Sequence, residues 1–412
     1  MKNKVKTRKK DASFASTITN ADAPSENLKS DSKNKQKVLV AMSGGVDSSV
    51  AALLMKKAGY DVVGVFMKNW SDTKNDIGVC DWREEKRHAL RIAMKLDIPF
   101  KVIDHEKEYR KVVVEDMYKN YKKGITPNPD VLCNQKIKFP YLWKEAKKQK
   151  CDYLVTGHYA RIRPRASPTA DEIGVKFKML RAKCEAKDQS YFLVKLTQKD
   201  LSHTLFPIGD LTKEKVRDIA EKNGFLNFDK KGTVGICFIG KVNLKEFLKK
   251  KIKPKKGKIK DPDGKVIGEH DGVYYYTIGQ RLGPRYGFDL ERKNPVTLRM
   301  DRWYVAKKDV KKNIIVAAPE GHKILLRKHM KVKEMHFITE DKKEIKERLQ
   351  KRAKRVSVRI RQVGELLDGV LRYDKGKGFS VELKKPITGV SDGQAIVLYA
   401  VEEVLGGGNI TS

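Results

Sequence analysis

Val38-Leu39-Val40-Ala41-Met42-Ser43-Gly44-Gly45-Val46-Asp47-Ser48-Ser49 runs straight into Val50-Ala51-Ala52-Leu53-Leu54. The pattern reads as an apolar strand, a turn of small residues and then a helix. Two glycines let backbone approach an anion closely. The turn and the helix start aim several N–H groups one way, with the positive end of the helix dipole behind them. Ser43, Ser48 and Ser49 add hydroxyl donors, so the site suits a pyrophosphate. No Gly-Lys-Ser/Thr follows, which excludes a Walker A loop, and the spacing is not that of a dinucleotide-binding turn.

Outward from this stretch, residues 37 to about 240 alternate short β runs with helical ones. Strands are expected at Lys37–Met42, Asp61–Met67, Phe100–Asp104 and Asp152–Thr156. Helices are expected at Ser49–Lys57, Glu84–Lys95, Tyr109–Lys122 and Phe139–Lys148. Such alternation predicts an α/β domain with a doubly wound, largely parallel sheet. Leu211–Asn223 reads as a further helix capped by Thr212, and Arg163–Glu172 as a surface loop.

The texture changes near residue 244. Eight of the twelve residues from Lys249 to Lys260 are lysine. Asp261–Gly264, Val273–Ile278 and Trp303–Val305 suggest turns and short strands. Asn313–Ala317, Val356–Arg361, Val370–Tyr373, Ser380–Leu383 and Ala395–Val401 suggest a small β-barrel or sandwich. The expected organisation is a disordered basic tail over 1–36, a catalytic α/β domain over 37–243, a small β-rich domain over 244–308 and a C-terminal β-barrel over 309–412.

The 412-residue chain carries 89 Lys+Arg against 52 Asp+Glu, a net charge of +37. Such an excess implies a polyanionic partner, most simply nucleic acid, although a lysine-rich proteome would also produce it. No apolar run reaches the roughly 18 residues of a membrane span. The five cysteines, at 80, 133, 151, 184 and 237, form no Cys-x-x-Cys. Wide spacing and an odd count fit reduced thiols rather than a zinc site.

Two cysteine stretches carry candidate chemistry. Thr126-Pro127-Asn128-Pro129-Asp130-Val131-Leu132-Cys133 has two prolines that fix an extended entry. A helix starting near Asp130 would put Cys133 in its first turn, where the dipole favours a thiolate. Gly235-Ile236-Cys237-Phe238-Ile239-Gly240 brackets its cysteine with glycines, which suit a segment that swings a thiol in and out of a site. On these residues alone, a buried structural cysteine and a short buried strand stay open as the respective alternatives.

Ser-Gly-Gly-x-Asp-Ser resembles the loop of the ATP pyrophosphatases. Together with both cysteine stretches it resembles the tRNA-specific 2-thiouridylases over residues 37 to 408. Gly64–Trp70, Thr156-Gly157-His158-Tyr159-Ala160-Arg161, Lys187–Leu193, Tyr276–Arg281 and Leu405–Gly408 carry the same likeness. The resemblance implies an adenine nucleotide alpha hydrolase-like fold and a tRNA-uridine 2-sulfurtransferase. ATP would be held by Ala41, Met42, Ser43, Gly44, Gly45, Val46, Asp47 and Ser48 with Met67 and Gly157. Asp47 would hold Mg²⁺ or cap the helix.

By the same resemblance, Asn128, Pro129 and Asp130 would meet the target base, and Asp130 would exchange a proton there. Cys133 would be the nucleophile and Cys237 the persulfide carrier. His158, Lys187, Asp188, Gln189, Arg361, Gln362 and Gln394 would touch tRNA. A sulfur-donor protein, either a cysteine desulfurase or a sulfur carrier, would load Cys237. Residues 1–36 lack a clear amphipathic Arg/Ser pattern, so a cytoplasmic protein is expected, with a mitochondrial location as the alternative, and it is expected to be a monomer away from membranes. Gly232-Thr233-Val234, Arg361-Gln362 and Leu282-Gly283-Pro284-Arg285 depart from the family pattern without removing a catalytic residue. The rivals are another ATP-pyrophosphatase enzyme of the RNA-modifying or amidotransferase-like kind, which needs no cysteine pair, and a non-catalytic basic RNA-binding protein with a vestigial loop.

Overall fold

The computed structural model describes residues 35–72, 81–165, 176–230, 243–283, 302–339 and 341–411. They divide into two units, one of Met1–Glu108, Asn134–Val234 and Glu402–Val404, the other of Tyr109–Cys133, Gly235–Val401 and Leu405–Ser412. Among the described residues no helix is long and apolar enough to cross a membrane.

The first unit runs β1 (Lys37–Ala41), α1 (Val46–Lys57), β2 (Asp61–Lys68), α2 (Asp81–Lys95), β3 (Phe100–Asp104), α3 (Phe139–Lys148), β4 (Tyr153–Thr156), β5 (Ala160–Arg165), β6 (Lys176–Arg181), β7 (Thr204–Leu205) and α4 (Lys213–Lys222). The sheet order is β3-β2-β1-β4-β7, all parallel. Val38, Leu39 and Val40 are wholly buried, as expected of a central strand covered on both faces. Strand order reverses direction between β1 and β4, which makes their carboxyl ends the switch point where such sheets bind ligands. β5 and β6 form an antiparallel hairpin, and Glu403 pairs with Leu180.

α1 starts at Val46, three residues earlier than its sequence suggests. Asp47, Ser48 and Ser49 read as turn formers. Yet both serine hydroxyls donate back to Gly45 O at 3.0 Å, so they close the first turn instead of breaking it. The helix expected over Tyr109–Lys122 is interrupted. A π-helical turn over Arg110–Val114, holding the β-branched run Val112–Val114, separates Glu106–Tyr109 from Glu115–Lys122.

The second unit continues with α5 (Leu244–Lys249), β8 (Gly257–Lys260), β9 (Val266–His270), β10 (Arg281–Leu282), β11 (Trp303–Asp309), β12 (Ile314–Pro319), β13 (Leu326–Phe337), α6 (Lys342–Lys351), β14 (Lys354–Arg359), β15 (Leu367–Asp374), β16 (Gly378–Thr388), β17 (Ala395–Ala400) and β18 (Glu403–Thr411). A five-stranded sheet has the order β10-β11-β12-β8-β9. Val273–Ile278 is not a strand. Val273–Tyr275 forms a 3₁₀ turn after Gly272, with the Tyr274 hydroxyl on Lys253 O at 3.1 Å and the Tyr276 hydroxyl on Asp271 at 2.9 Å. Those bonds tie the aromatic rings down singly rather than in alternation.

β13-β16-β15-β14-β17-β18 closes on itself through β13–β18, giving a six-stranded barrel. Closure leaves no free sheet edge. Val332, Val358, Leu371, Val381, Ile396 and Leu398 fill it. The lysine-rich stretch is likewise structured. It ends α5, buries Ile252 and Ile259, and enters β8.

Candidate active site

β1 delivers the chain to the loop while Met42 N still donates to Val65 O at 2.8 Å. Ser48 Oγ receives Ser43 N at 3.1 Å, which folds the loop over the helix start. Gly44 adopts φ +83°, and a Cβ there would lie 2.3 Å from Glu85 O. Asn227 donates through Nδ2 to Gly44 O and Ser49 Oγ, each at 3.0 Å, so a distant turn fixes the loop carbonyl. Helix geometry leaves the amides of Val46, Asp47 and Ser48 with no carbonyl four residues back. Ser43 is exposed, and Gly45 and Asp47 are half-exposed at the same mouth. These amides and hydroxyls suit phosphate oxygens.

Met67 and Gly157 flank the loop. Ala41 pairs with Val65 in β2, two residues before Met67, and with Thr156 in β4, one before Gly157. A Cβ at Gly157 would stand 2.7 Å from Ser48 N and 2.8 Å from the Asp47 carbonyl carbon. The ten residues expected around ATP are therefore brought together. They fit a nucleoside triphosphate by this bare backbone cradle and its donors.

Asp47 is not a helix cap. Its Oδ1 receives the Tyr159 hydroxyl at 2.9 Å and Lys213 Nζ at 2.6 Å. Thr212 caps α4 by accepting Lys215 N at 3.2 Å, as expected, and thereby places Lys213 as the first helical residue. Burial first, then the Asp47 charge, raises the Tyr159 phenol far above its ordinary pKa, so it remains a donor. Lys213, Tyr159, Asn227 and Glu85 escaped sequence reasoning. Lys213 stands 166 positions from Asp47 and carries no motif.

His158 Nδ1 lies 2.7 Å from Thr156 Oγ1, and its ring contacts those of Phe139 and Phe206, each centroid 5.9 Å away, while those two rings also touch each other at 6.4 Å. Burial, then the Lys138 charge, holds its pKa well below the ordinary value. It is therefore a neutral hydrogen-bonding group. Asp188 is 1% exposed and accepts Ala182 N at 3.0 Å, Ser190 N at 3.2 Å and Ser190 Oγ at 3.0 Å. Its carboxylate shapes the turn that displays exposed Lys187. Gln189 Oε1 receives Tyr159 N at 3.0 Å.

In the second unit Asn128 Oδ1 accepts Val131 N at 3.1 Å, which caps a helical segment over Pro129–Cys133. Asp130 is in its first turn. Cys133 is fifth, beyond the first turn, and wholly buried. The dipole argument for its thiolate therefore weakens.

Thr126 N donates to Asp392 O at 2.9 Å, and Gly393, with φ +89°, packs where a Cβ would strike Ile125 Cγ2 at 2.3 Å. Gln394 follows in that turn. Arg361 donates to Gly389 O at 2.8 Å, with half-buried Gln362 beside it. Lys308 Nζ donates to Tyr276 O at 2.8 Å close by. Cys237, with Gly235, Gly240 and Gly232–Val234, lies outside the described residues, as do Cys80, Pro284 and Arg285. Burial pushes the Cys151 thiol up to about 11, which suits a spectator. Among the described residues no cluster of three or more His, Cys, Asp or Glu is arranged for a metal ion.

The chain matches three family profiles in succession: a tRNA methyl transferase HUP domain over residues 36–241, a tRNA methyl transferase PRC-barrel domain over 245–319 and an aminomethyltransferase beta-barrel domain over 327–410. It is 43% identical over 381 residues to the tRNA-specific 2-thiouridylase MnmA of Lactobacillus delbrueckii subsp. bulgaricus, covering 92% of this chain and 96% of that protein. It is 42% identical to tRNA-specific 2-thiouridylase MnmA 1 of Geobacillus kaustophilus, covering 90% and 94%. A 4-thiouridine synthetase–RNA complex with bound ATP aligns at a TM-score of 0.33 and 16% identity over 50% of this chain and 46% of that one, too slight a likeness to build on.

Proposed function

The chain belongs to the tRNA-specific 2-thiouridylase family, and from that premise we propose that it activates a tRNA uridine with ATP and replaces its C2 oxygen with sulfur. The observation that carries the reading is the Ser43–Ser48 loop at the sheet's switch point, with Gly157 stripped of any side chain against it. The description of the matched families names methyl transfer. A pyrophosphate-binding loop and two cysteine stretches answer instead to thiolation.

The C2 oxygen of uracil is a poor leaving group. ATP would supply an adenylyl group that makes it a good one, the loop amides would donate to the departing pyrophosphate, and Mg²⁺, if held by Asp47, would supply further positive charge there. Asn128 holds the helix start that presents Asp130 towards the base, where its carboxylate exchanges a proton. The uridine must leave its stack for its C2 oxygen to be adenylated. Cys237 carries a persulfide loaded by a cysteine desulfurase or a sulfur carrier. Cys133 attacks the Cys237 sulfur, the S–S bond of the persulfide breaks, and hydrosulfide leaves with the electron pair. Hydrosulfide adds at C2 and AMP departs. A Cys133–Cys237 disulfide remains, and an external dithiol reductant restores both thiols. Neutral His158 and exposed Lys187 serve tRNA contact, the latter at phosphate. The bacterial relatives make the cytoplasm the expected setting.

Reconstitution tests the reading. Protein, unmodified tRNA, Mg²⁺-ATP and a persulfide donor should yield AMP, pyrophosphate and 2-thiouridine by mass spectrometry of digested tRNA. Methylated but unthiolated tRNA, or turnover of ATP without tRNA modification, would overturn it.

A further inference from the structure

In the turn after α4, Phe225 and Asn227 are 1% and 2% exposed, yet Leu226 between them is 76% exposed. It borders a groove of about 310 Å³ against α2, lined also by His88, Arg91, Ile92, Lys95 and Asn227. Ile92 makes one wall apolar. Asn227 Nδ2 is already committed to Gly44 O and Ser49 Oγ, and His88 Nε2 lies 3.5 Å from Glu84. Arg91 and Lys95 are exposed, and neither has an ion-pair partner among the described residues. Lys95 answers the negative end of the α2 dipole, but Arg91 stands a turn too early for that. Met94, 71% exposed, neighbours Arg91 one turn along. A nucleic-acid backbone would use the two cations and gain nothing from Leu226 and Met94. A protein with one apolar anchor and an acidic rim would use all four. The chain points to which protein. Lys230 Nζ binds Glu85 of α2 at 2.9 Å. Cys237 follows Lys230 by seven residues, a reach of at most about 25 Å.

We propose that this groove docks the sulfur-donor protein, with an apolar side chain of the donor on Leu226 and Ile92 and its carboxylates on Arg91 and Lys95. A persulfide presented there is within the tether of Cys237. The Cys237 thiolate bonds to the outer sulfur of that persulfide. The donor's S–S bond breaks, and the donor cysteine leaves as a thiolate with the electron pair. The persulfide passes from one cysteine to the other, so no further oxidant or reductant is consumed. The inference rests on the reading that Cys237 carries a persulfide.

The test uses full-length protein: wild type, Leu226→Glu and Arg91→Glu/Lys95→Glu. All three positions are exposed, and the two variants are independent should one fail to fold. Three sulfur sources are compared: a cysteine desulfurase with cysteine and a persulfide-charged sulfur carrier, both from the same organism, and cysteine persulfide as a small molecule. Mass spectrometry of the Cys237 peptide over time reads the loading rate. With whichever protein loads wild type, each variant should be about 10- to 100-fold slower, as for loss of one or two anchor contacts. The charge reversal should also remove most of the salt dependence of loading. With cysteine persulfide the rates should agree within about twofold, as should tRNA affinity and tRNA-dependent pyrophosphate release. Protein-fed loading within twofold of wild type in either variant, or an equal fall with cysteine persulfide, overturns the docking surface. A parallel fall in tRNA binding makes the groove an RNA face and overturns it too. Wild type loaded by cysteine persulfide but by neither protein refutes the docking alone. Wild type that takes sulfur from no source sinks the functional reading itself.

Discussion

Gly157→Ala adds one methyl group where the first unit has no room for it. No positive φ is involved at this position, so alanine suits the backbone and only space matters. The new Cβ would stand 2.7 Å from Ser48 N, 2.8 Å from the Asp47 carbonyl carbon and 2.9 Å from Ser48 Cα. All three are backbone atoms of a helix start, which cannot swing away as a side-chain tip can. Ordinary contact begins at 3.4 Å, so β4 and α1 must part by about 0.7 Å. A displacement of that size turns a phosphate hydrogen bond of about 2.9 Å into a gap of roughly 3.6 Å, which is no hydrogen bond. Overpacking of this kind costs roughly 1–3 kcal/mol, or about 5- to 150-fold in an equilibrium constant. Isothermal titration with ATP should show that loss, while filter binding of tRNA stays close to wild type and the melting temperature falls by a few degrees. ATP affinity within twofold of wild type, with the fold intact, would refute the close-approach argument for Gly157.

Turnover without reductant should yield one cross-linked peptide pair, Cys133 with Cys237, with Cys80, Cys151 and Cys184 remaining thiols; pairing of Cys237 with any of those three, by peptide mass mapping, defeats the assigned roles. Reversing the exposed Lys253, Lys255, Lys256 and Lys258 to Glu should weaken tRNA binding and flatten its salt dependence, each lost phosphate contact removing slightly under one unit of log–log slope; a wild-type slope means those lysines only face solvent. Burial pushes the Lys308 pKa down to about 8 from 10.5, against the pull of Asp392. The unfolded chain then holds more protons between those values, so stability rises with pH across that window by of order 2–3 kcal/mol. Urea unfolding of Lys308→Met should lack that rise, and the same pH slope in both proteins would disprove it.

Phe100–Asp104 and Phe139–Lys148 are legible in the sequence because each is one uninterrupted pattern with clear ends. α1 is legible in kind but not in its start, because local hydroxyl bonds from Ser48 and Ser49 decide the first turn. β13 hides because its alternation breaks between Lys333 and His336, with Glu334 at φ +51°. A period-two pattern cannot be followed through such a bulge. The loop itself is legible since strand, glycines and helix are contiguous. Its partners are not. Lys213, Tyr159 and Asn227 meet it only through the winding of the sheet. The burial of Asp188 is equally invisible, because an acid in a polar stretch looks the same whether it faces water or three buried donors.

The hold of Asp392 on Thr126 also has a consequence for how the protein is made. The two residues are 266 positions apart, so at about 5–20 residues per second a ribosome needs roughly 13–53 s to deliver the second after the first. The strands behind the Ser43–Ser48 loop are complete by residue 205. During synthesis the segment leading to Cys133 therefore waits, without its final anchor, long after the loop's own scaffold has emerged. A chain ending before Gly389 would never acquire that anchor.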